Sequence, residues 1–232
     1  MSSNDPTRRL NALLKRLRSA HGERPVEPAS TLTTAPQWTE PALDELIYSF
    51  LLWESTTSRA RAAMRRLREC IVDYNELRVC LAHELVDLFG ERYPRAPERS
   101  ERLHATLADL YRREHAMSLS RVAEAPKRDA LGYMASLEGV PHFVAARVLL
   151  VSMGGHAVPV DDRLAAMLAD EGVVEKGTPP EQCASWLEHH VRASDALATH
   201  ALFQAWVDEG PPKKERKAEK GSAKGRSRRL KA

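Results

Sequence analysis

The stretch LEGVPHFVAARVLLVSMGGHAVPVDD, Leu137 to Asp162, sets a short apolar helix between two tight breaks and ends on a pair of carboxylates. The first break falls at Gly139 and Pro141, the second at Gly154-Gly155. Glycine adopts positive φ without a Cβ penalty, so Gly139 lets the chain reverse between two helices within a few residues. The helix that follows turns its first backbone N–H groups outward, where no intrahelical acceptor reaches them and the helix dipole favours an anion. After the second break, Asp161 or Asp162 can cap the next helix.

Outward from this stretch, the helical period dominates. Leu43, Leu46, Ile47, Phe50 and Leu51 follow i, i+3, i+4, i+7, i+8, one apolar face of a helix. Leu77, Cys80, Leu81, Leu85 and Leu88 read as one further helical face, closed by Gly90 as a C-terminal cap. Leu103, Leu107, Leu110 and Tyr111 make a third, and Leu131, Met134 and Leu137 line the helix opened by Pro126. Pro179-Pro180 opens a helix that buries Trp186 and Leu187, and the last helix runs roughly from Asp195 to Val207. No period-2 run appears; HAVPV is short and contains Pro159. The expectation is an all-α fold of about eight to ten helices. Three parts are expected: a basic helix and linker over 1–37, a helical domain over 38–210 with the hairpin at about 126–152, and a disordered basic tail over 211–232. Leu10, Leu13, Leu14 and Leu17 give the N-terminal helix a continuous apolar side, so it is expected to dock on the body.

At 232 residues and 43% hydrophobic, the chain can bury a sizeable core. No apolar run reaches the roughly 18 residues of a membrane span, and the basic N-terminus lacks the apolar region of a secretory signal. A cytoplasmic location is expected, nucleoid-associated in a bacterium. Cys70, Cys80 and Cys183 are too few for a disulfide framework and form no CxxC pair, so neither a metal site nor a cofactor is expected. The net charge of +3 divides unevenly. Residues 211–232 carry ten Lys/Arg against two Glu, and the other 210 residues carry −5. A basic tail whose only apolar residues are Leu230 and scattered alanines cannot fold alone and suits a polyanion, or serves solubility alone.

The pattern Leu137, Gly139, Val140, Ala145 between two helices is a helix-hairpin-helix, a module that grips DNA backbone without reading its sequence. Here the chain resembles the helix-hairpin-helix base-excision DNA glycosylases related to endonuclease III. Asp161 falls on that family's catalytic aspartate, 18 residues after Phe143, and Phe143 stands where bifunctional members carry a nucleophilic lysine. ELIYSFLLWESTTSRARAAMRRL is similar to the family's L-L-x-x-Q-x-T-D segment, with Thr57 matched and Ser55 and Ser58 at the usual Gln and Asp. WLEHHVRASDALATHALFQAW resembles the last helices before the iron–sulfur loop, whose four cysteines are absent here. The resemblance covers roughly residues 40–207.

The resemblance implies two helical lobes with a cleft between them, double-stranded DNA with a damaged or mismatched base as partner, a monomer, and no membrane. It implies monofunctional hydrolysis of the N-glycosidic bond, because Phe143 cannot form a Schiff base. Asp161 is the implied catalytic carboxylate. Gly139, Val140, the N–H groups of His142, Phe143, Val144 and Ala145, and Ser55 are the implied DNA contacts. Pro141 replaces the hairpin's second glycine and removes one N–H donor. The alternative is a catalytically degenerate module that binds DNA or a protein, with Asp161 only a helix cap. His189, His190 and His200 lack the spacing of a metal motif and read as a solvated or half-buried face. Arg59, Arg61, Arg65, Arg66 and Arg68 read as a solvated face or as phosphate contacts. Trp53 and Trp186 read as core.

Overall fold

Side-chain caps and first-turn prolines start many of the helices. Asp5 accepts from the Thr7 N–H (3.1 Å), Asp73 from the Asn75 and Glu76 N–H groups (2.9 Å each), and Asp161 from the Leu164 N–H (2.9 Å). Proline lies in the first turn of the helices that begin at Pro6, Pro41 and Pro180. The structure, a computed structural model, describes residues 5–22, 25–32 and 38–210; the basic tail and part of the expected linker lie outside them. Among the described residues are twelve α-helices, a short 3-10 turn at Ala29–Thr31 and no strand. The helices are α1 (Pro6–His21), α2 (Pro41–Leu52), α3 (Thr57–Cys70), α4 (Tyr74–Val79), α5 (Ala82–Phe89) and α6 (Ala96–Glu114). They continue with α7 (Ser120–Glu124), α8 (Lys127–Ser136), α9 (His142–Ser152), α10 (Asp162–Asp170), α11 (Pro180–His190) and α12 (Ala193–Glu209). None is long and apolar enough to cross a membrane.

At the centre, α2 and α9 pack against each other. Every residue from Ala42 to Leu52 is buried, as is every residue from Phe143 to Leu150. A helix buried all round must pair whatever charge it carries. Asp44 accordingly meets Arg68 (2.8 Å) and the Tyr74 hydroxyl (2.9 Å), while Glu45 meets Arg147 and the Ala29 N–H (3.0 Å). Around this pair, α3 and α6 pack on α2, α8 and α12 pack on α9, α4 and α5 pack on α6, α7 packs on α8, and α1 and α10 pack on α12. Helix α1 docks on α12 through Leu10, Leu13, Leu14 and Leu17, as its apolar side implied.

Two expectations on the helices are corrected. The chain holds more helices than the expected eight to ten, partly because the Leu77–Leu88 face is two helices, α4 and α5, with a break at Cys80-Leu81. Glu84 reaches back to accept the Leu81 N–H (2.8 Å), so Leu81 caps α5 from outside and is 53% exposed instead of joining the core. Likewise Arg68 leaves the expected solvated or phosphate-facing set, because its partner Asp44 lies inside α2.

Candidate functional site

The hairpin between α8 and α9 is held from beneath by α6. Asp109 accepts the Glu138 N–H (2.9 Å), Thr106 donates to the Glu138 carbonyl (2.7 Å), and Arg102 donates to the Gly139 carbonyl (3.3 Å). Burial works to raise the Asp109 acid, but the Glu138 N–H and the Arg112 and Arg113 guanidiniums outweigh it and hold the group at about 2. Gly139 has φ +82°, and a Cβ there would lie 2.7 Å from the Arg102 carbonyl oxygen. Only glycine meets both conditions. Pro141 is the N-cap of α9, and its carbonyl accepts from the Val144 (3.0 Å) and Ala145 (3.1 Å) N–H groups. The His142 and Phe143 N–H groups precede the first intrahelical acceptor and have no backbone partner among the described residues.

The second break delivers the aspartate. Gly154 has φ +64°, Gly155 packs on the Leu149 side chain, and the chain runs through buried Val158 and Val160 to Asp161. Asp161 is 6% exposed. One carboxylate oxygen accepts the Leu164 N–H (2.9 Å) and the other the Glu54 N–H (3.2 Å). Burial raises its acid above the ordinary aspartate value, against the pull of these N–H groups and of Arg163. The Glu54 carboxylate in turn accepts the Asp162 N–H (2.8 Å). Burial and the neighbouring Asp161 raise Glu54 to about 7.

Asp161 lines a cleft of about 330 Å³, within the size of ordinary ligand sites. Its walls come from the α2–α3 turn (Trp53), from Arg95 with Glu98 and Arg102 on α6, from the hairpin (Val140 to Phe143), and from the start of α11. Around Trp53 the guanidiniums of Arg95, Arg99 and Arg102 lie 4.7, 5.7 and 5.6 Å from the indole ring. Arg99 is wholly buried and donates to the Trp53 and Pro94 carbonyls, and burial lowers it to about 10.

Neither a family profile nor a curated protein matches the sequence. Solved structures do match the fold. An endonuclease III–DNA covalent intermediate superimposes with a TM-score of 0.61 at 13% identity, over 85% of this chain and 84% of that one. A thermostable thymine-DNA glycosylase matches with a TM-score of 0.59 at 16% identity, over 90% and 92%. The H. pylori 3-methyladenine DNA glycosylase (MagIII) matches with 0.58 at 12%, over 90% and 99%. The fold is that of the helix-hairpin-helix DNA glycosylases.

Within this glycosylase fold, the residues singled out from sequence do not all share one surface. Asp161, Val140, His142 and Phe143 line the cleft together. Gly139 lies at the tip of the hairpin, while the Val144 and Ala145 side chains are buried and their N–H groups are taken by Pro141. Ser55 is 1% exposed, its carbonyl accepting from Arg163, so its side chain does not reach the surface in this structure. Phe143 closes the cleft on one side, edge-on to His200 with ring centroids 6.4 Å apart. His200 is not on the expected solvated or half-buried face. It is buried, and burial together with Arg147 lowers it to about 3, so the imidazole is neutral. His189 and His190 are exposed, and among the described residues no group of His, Cys, Asp and Glu is placed to hold a metal. Trp53 is core, whereas Trp186 is half-buried and stacks on His190 at 4.0 Å.

Sequence reasoning missed Glu54, Arg95, Glu98 and Arg102. Glu54 adjoined a marked residue, Ser55, but nothing in its spacing tied it to Asp161, 107 positions away. The α6 arginines reach the cleft only because α6 underlies the hairpin. The walls carry two arginines against four carboxyls, Glu98, Asp161, Asp162 and Glu181, so the cleft is not basic.

Proposed function

We propose that the protein is a monofunctional DNA N-glycosylase, a monomer acting on duplex DNA to hydrolyse the N-glycosidic bond of a damaged or mismatched base. The reading is carried by one observation: a largely buried carboxyl, Asp161, lines the same cleft as His142 and Phe143, the two residues at the start of α9 whose N–H groups have no backbone partner among the described residues. In such a cleft the target base leaves the stack, and the backbone beside it meets the His142 and Phe143 N–H groups. Positive charge grows on the sugar as the bond from C1′ to the base breaks. The base leaves with the bonding electron pair and takes a proton from solvent, while the Asp161 carboxylate stabilises the charge on the sugar and takes a proton from the water whose oxygen bonds C1′. Phe143 offers no amine, so the reaction ends at the abasic site.

The test is incubation with a panel of damaged and mismatched duplexes, followed by hot alkali. Asp161→Asn, whose one amide oxygen can keep the Leu164 cap while its NH2 leaves the Glu54 N–H without an acceptor, is expected to lose roughly a hundredfold or more in rate with duplex binding intact. Equal rates in variant and wild type would remove Asp161 from the mechanism. A second reading, a non-catalytic DNA-binding or protein-binding module, is favoured by the excess of carboxyls on the cleft walls and by the two backbone N–H groups already held by Asp161. It predicts duplex or protein binding without excision on every substrate.

A further inference from the structure

Glu54 stands in the turn between α2 and α3 with φ +54°, a left-handed conformation that L side chains rarely adopt. Three contacts fix the backbone around it. Tyr93 donates to the Leu51 carbonyl (2.7 Å), Arg99 to the Trp53 carbonyl and Arg163 to the Ser55 carbonyl. A strained residue persists where its surroundings over-determine it, and such residues gather at functional sites. The turn meets the α9–α10 loop through a two-way clasp. The Glu54 N–H donates to Asp161 Oδ2 (3.2 Å), and Glu54 Oε1 accepts the Asp162 N–H (2.8 Å).

An acceptor for the Asp162 N–H alone would be an ordinary cap at the start of α10. The clasp does more, because the residue that caps α10 is also the residue whose backbone directs the Asp161 carboxylate. The left-handed turn aims that N–H at Oδ2, and the side chain anchors the turn. Asp161 already caps Leu164 with Oδ1, so the Glu54 N–H is what orients the second oxygen.

We propose that Glu54 is a positioning residue for Asp161: its carboxyl, anchored on the Asp162 N–H, holds the left-handed turn that directs the Asp161 carboxylate in the cleft. This rests on the reading of Asp161 given above. The charged groups that face Glu54 are Asp161, Asp162, Arg95 and Arg99. Burial and the neighbouring Asp161 raise Glu54 to about 7, so it retains its proton into the neutral range.

The test uses the full chain and three substitutions. Glu54→Gln keeps an acceptor for the Asp162 N–H and cannot ionise. Glu54→Ala removes the acceptor. Glu54→Gly also removes it but accepts φ +54° without strain, which guards against misfolding. Single-turnover excision is followed from pH 5.5 to 8.5 on a duplex that the wild type cleaves. Glu54→Ala and Glu54→Gly are expected to lose roughly ten- to a hundredfold in rate with duplex affinity unchanged, the cost of a misdirected reacting group. Glu54→Gln is expected to stay within about threefold at pH 6 and to lose the inflection near pH 7. In parallel, the ¹³C carboxyl signal of Asp161, identified by its loss in Asp161→Asn, is expected to move in Glu54→Ala and to stay near its place in Glu54→Gln. Wild-type rates in Glu54→Ala overturn the positioning role, as does equal damage in Glu54→Gln and Glu54→Ala. An unmoved Asp161 signal in Glu54→Ala overturns it whatever the activity. A wild type inactive on every duplex while the signal moves overturns the glycosylase reading and leaves Glu54 as the residue that orients Asp161.

Discussion

Replacing Gly139 with alanine tests whether the hairpin is pressed against α6 as the structure describes. Two costs act at once. At φ +82° a Cβ costs about 1–2 kcal/mol. The added carbon would also lie 2.7, 3.1 and 3.3 Å from the carbonyl oxygen, Cα and carbonyl carbon of Arg102. Those atoms are backbone in the interior of α6 and cannot rotate away, so overpacking adds about 1–3 kcal/mol. Stiffening the unfolded chain returns about 0.4–1 kcal/mol. The net expectation is a loss of roughly 2–4 kcal/mol. Gly154→Ala is the control, since Gly154 has φ +64° but no atom within 4 Å of its would-be Cβ. It carries the backbone cost alone, about 1 kcal/mol or less after the same offset. By calorimetry, where 1 kcal/mol moves the midpoint of a domain this size by about 2–4 °C, Gly139→Ala is expected to melt roughly 6–12 °C lower and Gly154→Ala roughly 2 °C lower. Duplex affinity is expected to fall in Gly139→Ala alone. Equal midpoint shifts in the two variants would refute the argument, because they would mean that α6 gives way at no cost.

Glu54 gives a stability prediction whose sign follows from its raised acid. The folded state keeps the proton up to about 7, against 4.5 for the free side chain, so this stabilisation is whole below 4.5 and is lost as pH rises through 7. Discounted for partial exposure, the loss is roughly 1–2 kcal/mol; wild type should therefore fall relative to Glu54→Gln between pH 5 and 8, and parallel melting curves would contradict this. No borohydride-trapped DNA adduct is expected, since Phe143 stands at the lysine position; a covalent adduct in wild type would place a nucleophile elsewhere. Deleting residues 211–232 removes ten Lys/Arg and two Glu and is expected to weaken duplex binding at low salt and to flatten the log–log salt slope by several units, at about 0.9 per phosphate contact. An unchanged slope would assign DNA contact to the folded body.

The all-helical architecture, the hairpin at Gly139 and the arrival of Asp161 after a second glycine break were legible in sequence, because each depends on residues within a few turns of one another. Apolar spacing makes one helix face, glycine permits one backbone reversal, and a carboxylate ahead of a helix caps it. The Leu77–Leu88 face misled because spacing cannot tell a continuous helix from two helices broken by one capping contact, here the Glu84 carboxylate on the Leu81 N–H. Long-range pairing was beyond sequence for a different reason. Arg68 looks like a surface cation until α2 places Asp44 beside it in the core, where Glu45 of the same helix also meets Arg147. Ser55 and Glu54 are chain neighbours of opposite fate: the turn that sinks Ser55 swings Glu54 onto the loop of Asp161. The sequence by itself determined the helical class of the fold and the reversals at Gly139 and Gly154-Gly155, since those are local properties of the backbone. Tertiary structure alone decided which carboxyls share the cleft and how they hold their protons, because those depend on burial and on charges brought together from positions 54, 95 and 161.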